Sequence, residues 1–246
     1  MTIKNIICGP TGLQPWLFDY YMEHLRERHP DTRLVTLRHI GAVPIESSVE
    51  FFGEQVAKFV KPDEPYMVSG DSQGALVAVM HALDNQKLVK HVIAVGGPFH
   101  GAWLSRMLWF FPSAREMFKG SRFLTDLVSR VPELNGNITN ILTPSELVMD
   151  AMSCYLDPEM ASNVLVGNDE QIKKFFADRR HYALTFDQIE TADKPVHHLN
   201  AMMSPKLRSV IWRKVDEVSE ANGLKADGIP DDELAHQGFI LKRALG

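Results

Sequence analysis

The sequence predicts an α/β protein, a mostly parallel sheet with helices on both faces. Three observations carry this. Short apolar runs alternate with longer stretches whose apolar residues follow helical spacing. The runs close on turn clusters such as Gly9-Pro-Thr-Gly12 and Gly96-Gly97-Pro98. No repeat, low-complexity tract or linker divides the 246 residues, so a single domain over 1–246 is expected.

In chain order, Ile3–Cys8 reads as a strand that ends at the first turn cluster. Leu17, Tyr20, Tyr21, His24 and Leu25 share a helical face, and that helix should stop before His29-Pro30. Arg33–Leu37 is a second strand. Ser47 or Ser48 is placed to cap a helix through Val49, Phe52, Val56 and Val60. Pro65–Ser69 is a third strand, followed by an Ala/Val/Leu-rich helix over Gly74–Leu83. His91–Val95, Ile138–Leu142 and Asn163–Val166 supply a fourth, fifth and sixth strand. Ser204-Pro205 opens a last helix that stops at Gly223. In such sheets, ligands bind at the carboxyl ends of the strands.

Composition excludes several classes. Lys+Arg number 26 and Asp+Glu 31, a net charge of −5, with the basic residues scattered, which argues against a nucleic-acid partner. The longest stretch free of Asp, Glu, Lys and Arg, His91–Ser105, is 15 residues and is broken by glycine and proline. That is short of the ~20 apolar residues of a spanning helix, so no stable membrane insertion is expected. The first residues lack the plan of a signal peptide, which points to the cytoplasm. Cys8 and Cys154 are too few for a disulfide framework or a thiolate metal site.

Chemistry is legible at Gly70-Asp-Ser72-Gln73-Gly74, between the third strand and its helix. Gly-x-Ser-x-Gly in that context is a nucleophile elbow. The turn exposes the serine hydroxyl, and the flanking positions must be small because strand and helix approach closely. The N–H of Gln73, at the helix start, faces the place where negative charge develops during attack. A serine nucleophile needs a base, and the base needs a carboxylate, in the chain order Ser, Asp/Glu, His. His81, His91, His100, His181, His197, His198 and His236 follow the serine, and His181 comes after the sixth strand. Glu146, Asp150 and Asp157 follow the fifth.

Taken together, Gly9–Gly12, Gly70–Gly74, Gly97-Pro-Phe-His-Gly101, Gly120-Ser-Arg-Phe-Leu124, Ile141–Glu146 and Arg180–Leu184 resemble the small α/β-hydrolase lipases and esterases. The Gly-x-Ser-Gln-Gly variant is also similar to that of cutinases and the phage lysin B esterases. The resemblance implies an α/β-hydrolase fold and a serine ester hydrolase whose triad is Ser72, Glu146 and His181. It places Thr11 beside Gln73 as the second oxyanion-hole donor. Residues 99–134 would be a helical, lid-like insertion over the serine. Phe99, Trp103, Trp109 and Phe110 would line a greasy site there for a small-molecule or lipid ester. No metal or organic cofactor is implied. The same triad also serves acyltransferases and thioesterases, and a catalytically silent member of the fold would be a binding protein that fluorophosphonates fail to label.

Overall fold

The structure is a computed structural model that describes residues 3–9, 15–37, 42–144, 151–198, 201 and 204–224. The chain begins with β1 (Lys4–Cys8), α1 (Pro15–Arg28), β2 (Arg33–Val35), α2 (Ile45–Val56), β3 (Tyr66–Asp71), α3 (Gln73–Asp84) and β4 (Val89–Val95). A 3₁₀ turn at Trp103–Arg106, α4 (Pro112–Glu116), α5 (Arg122–Arg130) and a second 3₁₀ turn at Val131–Leu134 lead to β5 (Ile138–Leu142). Then come α6 (Ala151–Cys154), β6 (Ser162–Gly167), α7 (Asp169–Ala177), a 3₁₀ turn at Arg179–His181, β7 (Gln188–Thr191) and α8 (Pro205–Ala221).

All seven strands run parallel in the order β2-β1-β3-β4-β5-β6-β7. From β1 the chain steps outward to β2, returns to the other side of β1 as β3, and then proceeds one way to β7. The direction of winding reverses between β1 and β3, so the crevice for a ligand opens at their carboxyl ends. β3 is buried along its whole length. Alternation along the strands sorts the core into two layers. Val68 and Ala94 face α2, α3 and α5, where Phe52, Leu76 and Leu127 pack. Met67, Ile93 and Val95 face α1 and α8, where Leu25, Ile211 and Val215 pack.

Two departures from the expected elements stand out. The helix expected from Ser47 or Ser48 starts earlier, at Ile45, with Pro44 as its unbonded N-cap. Ile45 is fully buried, and Ser48 lies inside the helix with its hydroxyl turned back on the Pro44 carbonyl. Residues 99–134, expected as a helical insertion, carry α4, α5 and the two 3₁₀ turns. Finally, α7 and a seventh strand lie beyond the six expected strands. β7 is an edge strand whose residues are mostly exposed, so Gln-Ile-Glu-Thr carries no apolar run to announce it. Among the described residues, no helix is long and apolar enough to cross a membrane.

Candidate active site

Ser72 sits between the last residue of β3 and the first of α3 with φ 56° and ψ −123°. This region is strained for a side-chain-bearing residue, at a cost of about 1–3 kcal/mol. Two backbone bonds hold it: Ser72 N–H donates to the Val95 carbonyl at 2.8 Å, and Ala75 N–H donates to the Ser72 carbonyl at 3.0 Å. The two motif glycines are sterically required. A Cβ on Gly70 would stand 2.1 Å from the Gly74 carbonyl oxygen, and one on Gly74 would stand 2.4 Å from the Cys8 carbonyl oxygen. The elbow is therefore wedged against the end of β1, beside the loop that begins at Gly9. Gln73 heads α3, where the first N–H groups have no acceptor within the helix. Thr11, its expected companion, lies outside the described residues, as does Glu146.

Asp71, the neighbour of the serine, is buried, and its Oδ1 has no hydrogen-bond partner among the described residues. Burial pushes its carboxyl up to about 8, so it carries its proton at neutral pH. Nothing in the sequence signalled a neutral acid here, because an aspartate in a Gly-Asp-Ser turn looks like an ordinary solvated one.

The histidines are widely separated. His81 lies near the far end of α3, bonded to the Tyr66 hydroxyl at 2.7 Å, beside a cavity of about 490 Å³ between α2 and α3. His91 is buried on β4 against the Thr139 hydroxyl. His100 is exposed. His181 is buried in the cluster that covers β5 and β6, its ring stacked on Phe175 at 4.0 Å and its Nδ1 2.9 Å from the Phe175 carbonyl oxygen. Strands lie about 4.8 Å apart, so this cluster is roughly 10–14 Å from β3 along the sheet. The structure packs His181 against α7.

His198 is different. It follows β7 on the loop at the carboxyl end of the sheet, and its ring fills the space where a Gly96 side chain would stand. A Cβ on Gly96 would lie 2.6 Å from His198 Nδ1 and 2.8 Å from Cε1, and Gly96 has φ +55°. Gly96 directly follows Val95, the residue whose carbonyl holds the Ser72 N–H. The imidazole is thus packed one strand, about 4.8 Å, to the side of the elbow. Burial holds its pKa down at about 4, so the ring is neutral at neutral pH. No hydrogen bond joins it to the Ser72 hydroxyl, and among the described residues no carboxylate contacts it.

Gln171 holds the loop that carries this ring. Its Nε2 donates to the Val196 carbonyl at 2.9 Å, and its Oε1 accepts from the Val196 N–H at 2.8 Å. The same side chain closes a capping box with Asn168 at the start of α7. The turn after β6, with exposed Asp169 and Glu170, is thereby tied to the loop after β7.

The expected substrate-binding aromatics divide. Phe99 is a core residue, fully buried, with its ring against Gly97. Trp103, Trp109 and Phe110 are exposed.

No protein-family profile matches the chain, and no curated protein is similar to it in sequence. Solved structures are similar. The phospholipase PlaB from Legionella pneumophila, in complex with thio-NAD, superposes with a TM-score of 0.55 at 10% identity. That match covers 89% of this chain and 63% of the phospholipase, so the chain spans less than two thirds of that protein. A structure from work on carboxylesterases of Nitrososphaera gargenis matches with a TM-score of 0.50 at 10% identity, covering 89% of this chain and 92% of that one. The mature lipase BlEst2 from Bacillus licheniformis matches with a TM-score of 0.50 at 8% identity, over 65% of this chain and 82% of its own. With the seven-stranded parallel sheet and the strained serine after β3, these likenesses assign the chain the α/β-hydrolase fold.

Proposed function

We propose that the protein is a serine ester hydrolase in which Ser72 is the nucleophile, His198 the base and Asp169 the carboxylate that orients the base. The observation that carries this is the strained Ser72 with the neutral His198 ring packed against Gly96, one strand away. The acid and base follow from the strand count. If the acid ends the penultimate strand and the base ends the last, the unannounced β7 shifts both roles one strand on. They pass from Glu146 to Asp169 and from His181 to His198. Gln171, which binds Val196 from the turn that carries Asp169, supports that pairing.

In the reaction, the Ser72 hydroxyl attacks the ester carbonyl while His198, neutral at neutral pH, takes its proton. The tetrahedral oxyanion is met by the N–H groups of Gln73 and Thr11. The alkoxide leaves with the proton from His198, and water activated by the same ring hydrolyses the acyl-enzyme. A carboxylic ester with a hydrophobic acyl or alcohol part is the proposed substrate class.

The test is a p-nitrophenyl ester panel of increasing acyl length together with fluorophosphonate labelling. Ser72→Ala should abolish both turnover and labelling. His198→Ala should cost nearly as much as Ser72→Ala, because triad members act as one unit. Asp169→Asn should cost less, and Glu146→Gln and His181→Ala should leave kcat near that of the parent protein. Full activity in His198→Ala with loss in His181→Ala would return the base to the position expected from sequence. No labelling of the parent protein would leave a silent member of the fold.

A further inference from the structure

Residues 103–110 present large apolar side chains to water. Trp103 is 53% exposed, Met107 66%, Leu108 39%, Trp109 64% and Phe110 58%. At 150–250 Å² for a large side chain, this is roughly 500 Å² of apolar surface, the scale that marks an interaction site on a soluble protein. On α6, whose Ser153 carbonyl accepts the His100 N–H at 2.8 Å, Met152 is 40% exposed. The segment is ordered: Ala102 N–H donates to the Met117 carbonyl at 3.0 Å, and Phe111 N–H to the Leu108 carbonyl at 2.9 Å. The Phe110 and Phe111 rings pack at 4.5 Å. These bonds hold the apolar groups out as a shelf on the chain that leaves the carboxyl end of β4, the same edge as Ser72.

Charge identifies what the shelf meets. Around it stand Arg106, Arg115 and Lys119, all exposed; among the described residues none is within ion-pair distance of a carboxylate, although Arg115 feels the charge of the neighbouring Glu116. Arg122 is paired with Asp126. From Gly97 to Leu124 the one acidic residue is Glu116, which is turned inward to the Ile45 N–H. A chain of net charge −5 thus sets three exposed cations around the exposed Trp103, Trp109 and Phe110. A second copy is a poor occupant, because a two-fold contact would set the same three cations against themselves. Tryptophan, phenylalanine and methionine ringed by arginine and lysine match the interface of an anionic bilayer, with apolar tips at acyl-chain level and cations at the headgroups.

We propose that Trp103–Phe110, with Arg106, Arg115 and Lys119, docks the protein on an anionic lipid surface. Docking holds the carboxyl edge of the sheet, and with it Ser72, toward the lipid, without any segment spanning the bilayer.

The experiment uses the Ser72→Ala protein, so that binding is read apart from any hydrolysis. Co-sedimentation is measured with phosphatidylcholine vesicles and with vesicles that also contain phosphatidylglycerol. The mixed vesicles should bind at least about ten-fold more tightly at low salt, and added salt should erase the difference. Trp109→Ser/Phe110→Ser, at exposed positions, should lose about ten-fold or more on the mixed vesicles. Arg106→Glu/Lys119→Glu should bind both vesicle types equally and weakly. Absence of binding to the mixed vesicles overturns the proposal, as does binding that both double variants retain. A dimer in sedimentation equilibrium that Trp109→Ser/Phe110→Ser dissolves, without vesicle binding, would assign the shelf to self-association instead. Because the variant background lacks the nucleophile, these outcomes stand whether or not the protein hydrolyses esters.

Discussion

Single residues decide whether this site is assembled, and Gly96 is the sharpest case. Its φ of +55° asks for glycine, and the space beside it is filled by His198. Gly136, with φ +77° and nothing within 4 Å, asks for glycine on conformational grounds alone. Both Gly→Ala changes should therefore cost about 1 kcal/mol or more of stability through backbone strain. Only Gly96→Ala should also cut kcat, by about 100-fold, because its methyl displaces the imidazole by more than an ångström. Equal activity in the two variants would remove His198 from the chemistry. His181→Ala should behave in the opposite way. Loss of the Phe175 stack and of the bond to the Phe175 carbonyl should cost about 1–3 kcal/mol in urea unfolding, with kcat little changed. Gly70 was legible from the motif spacing because its constraint is local, the approach of one strand and the helix that follows it, whereas Gly74 shares the motif but is held small by the Cys8 carbonyl at the end of β1. The constraint on Gly96 comes from a residue about a hundred positions further along the chain, and no local pattern encodes it.

At the scale of elements, the elbow and α3 were written in a five-residue motif, whereas the turn after β6 carries its information in a side chain. Gln171 caps α7 and grips Val196, so one residue couples a helix start to the loop that bears His198. Gln171→Ala should lower kcat about ten-fold with KM nearly unchanged, and Gln171→Glu should restore the cap without restoring the donor to the Val196 carbonyl. A mutant that lost stability but kept kcat would reduce Gln171 to a helix cap. In the insertion, Ser121 accepts the Leu124 N–H at 3.2 Å as the cap of α5. Ser121→Ala should cost about 1 kcal/mol in thermal unfolding and leave ester turnover intact.

For the whole molecule, the buried titratable groups predict the pH dependence of stability. Burial lowers His81 to about 4, His91 to about 3 and His198 to about 4, below the 6.5 of an unfolded histidine. Their contribution is complete above pH 6.5 and is lost as pH falls toward 4, because the unfolded chain takes up protons that the folded chain refuses. Asp71 has the opposite sign. With its folded carboxyl raised to about 8, its contribution is complete below pH 4 and is lost as pH rises through 8. Burial lowers His29 as well, so four histidines outweigh Asp71 below pH 6.5, and above it the aspartate dominates among these groups, so stability should peak near that pH. Between pH 6.5 and 8 the decline should be of order 1 kcal/mol per pH unit. Asp71→Asn should flatten this alkaline decline in a series of urea titrations, and an unchanged decline would mean that the carboxyl is solvated.

The sequence by itself determined the α/β class, six of the seven strands and the serine on its turn. Those features rest on interactions between near neighbours: apolar periodicity, glycine spacing and a proline at a helix start. The tertiary structure decided which histidine packs on Gly96 beside β3, because β7 is a mostly exposed edge strand that needs no apolar run. Once β7 pairs with β6, the chain that follows is returned to the carboxyl edge, and His198 meets Gly96 across three strands. Whether Trp103, Trp109 and Phe110 were core or surface was equally beyond a one-dimensional pattern. An aromatic residue has the same spacing whether its ring is packed or left in water, and only the layers built around it settle which.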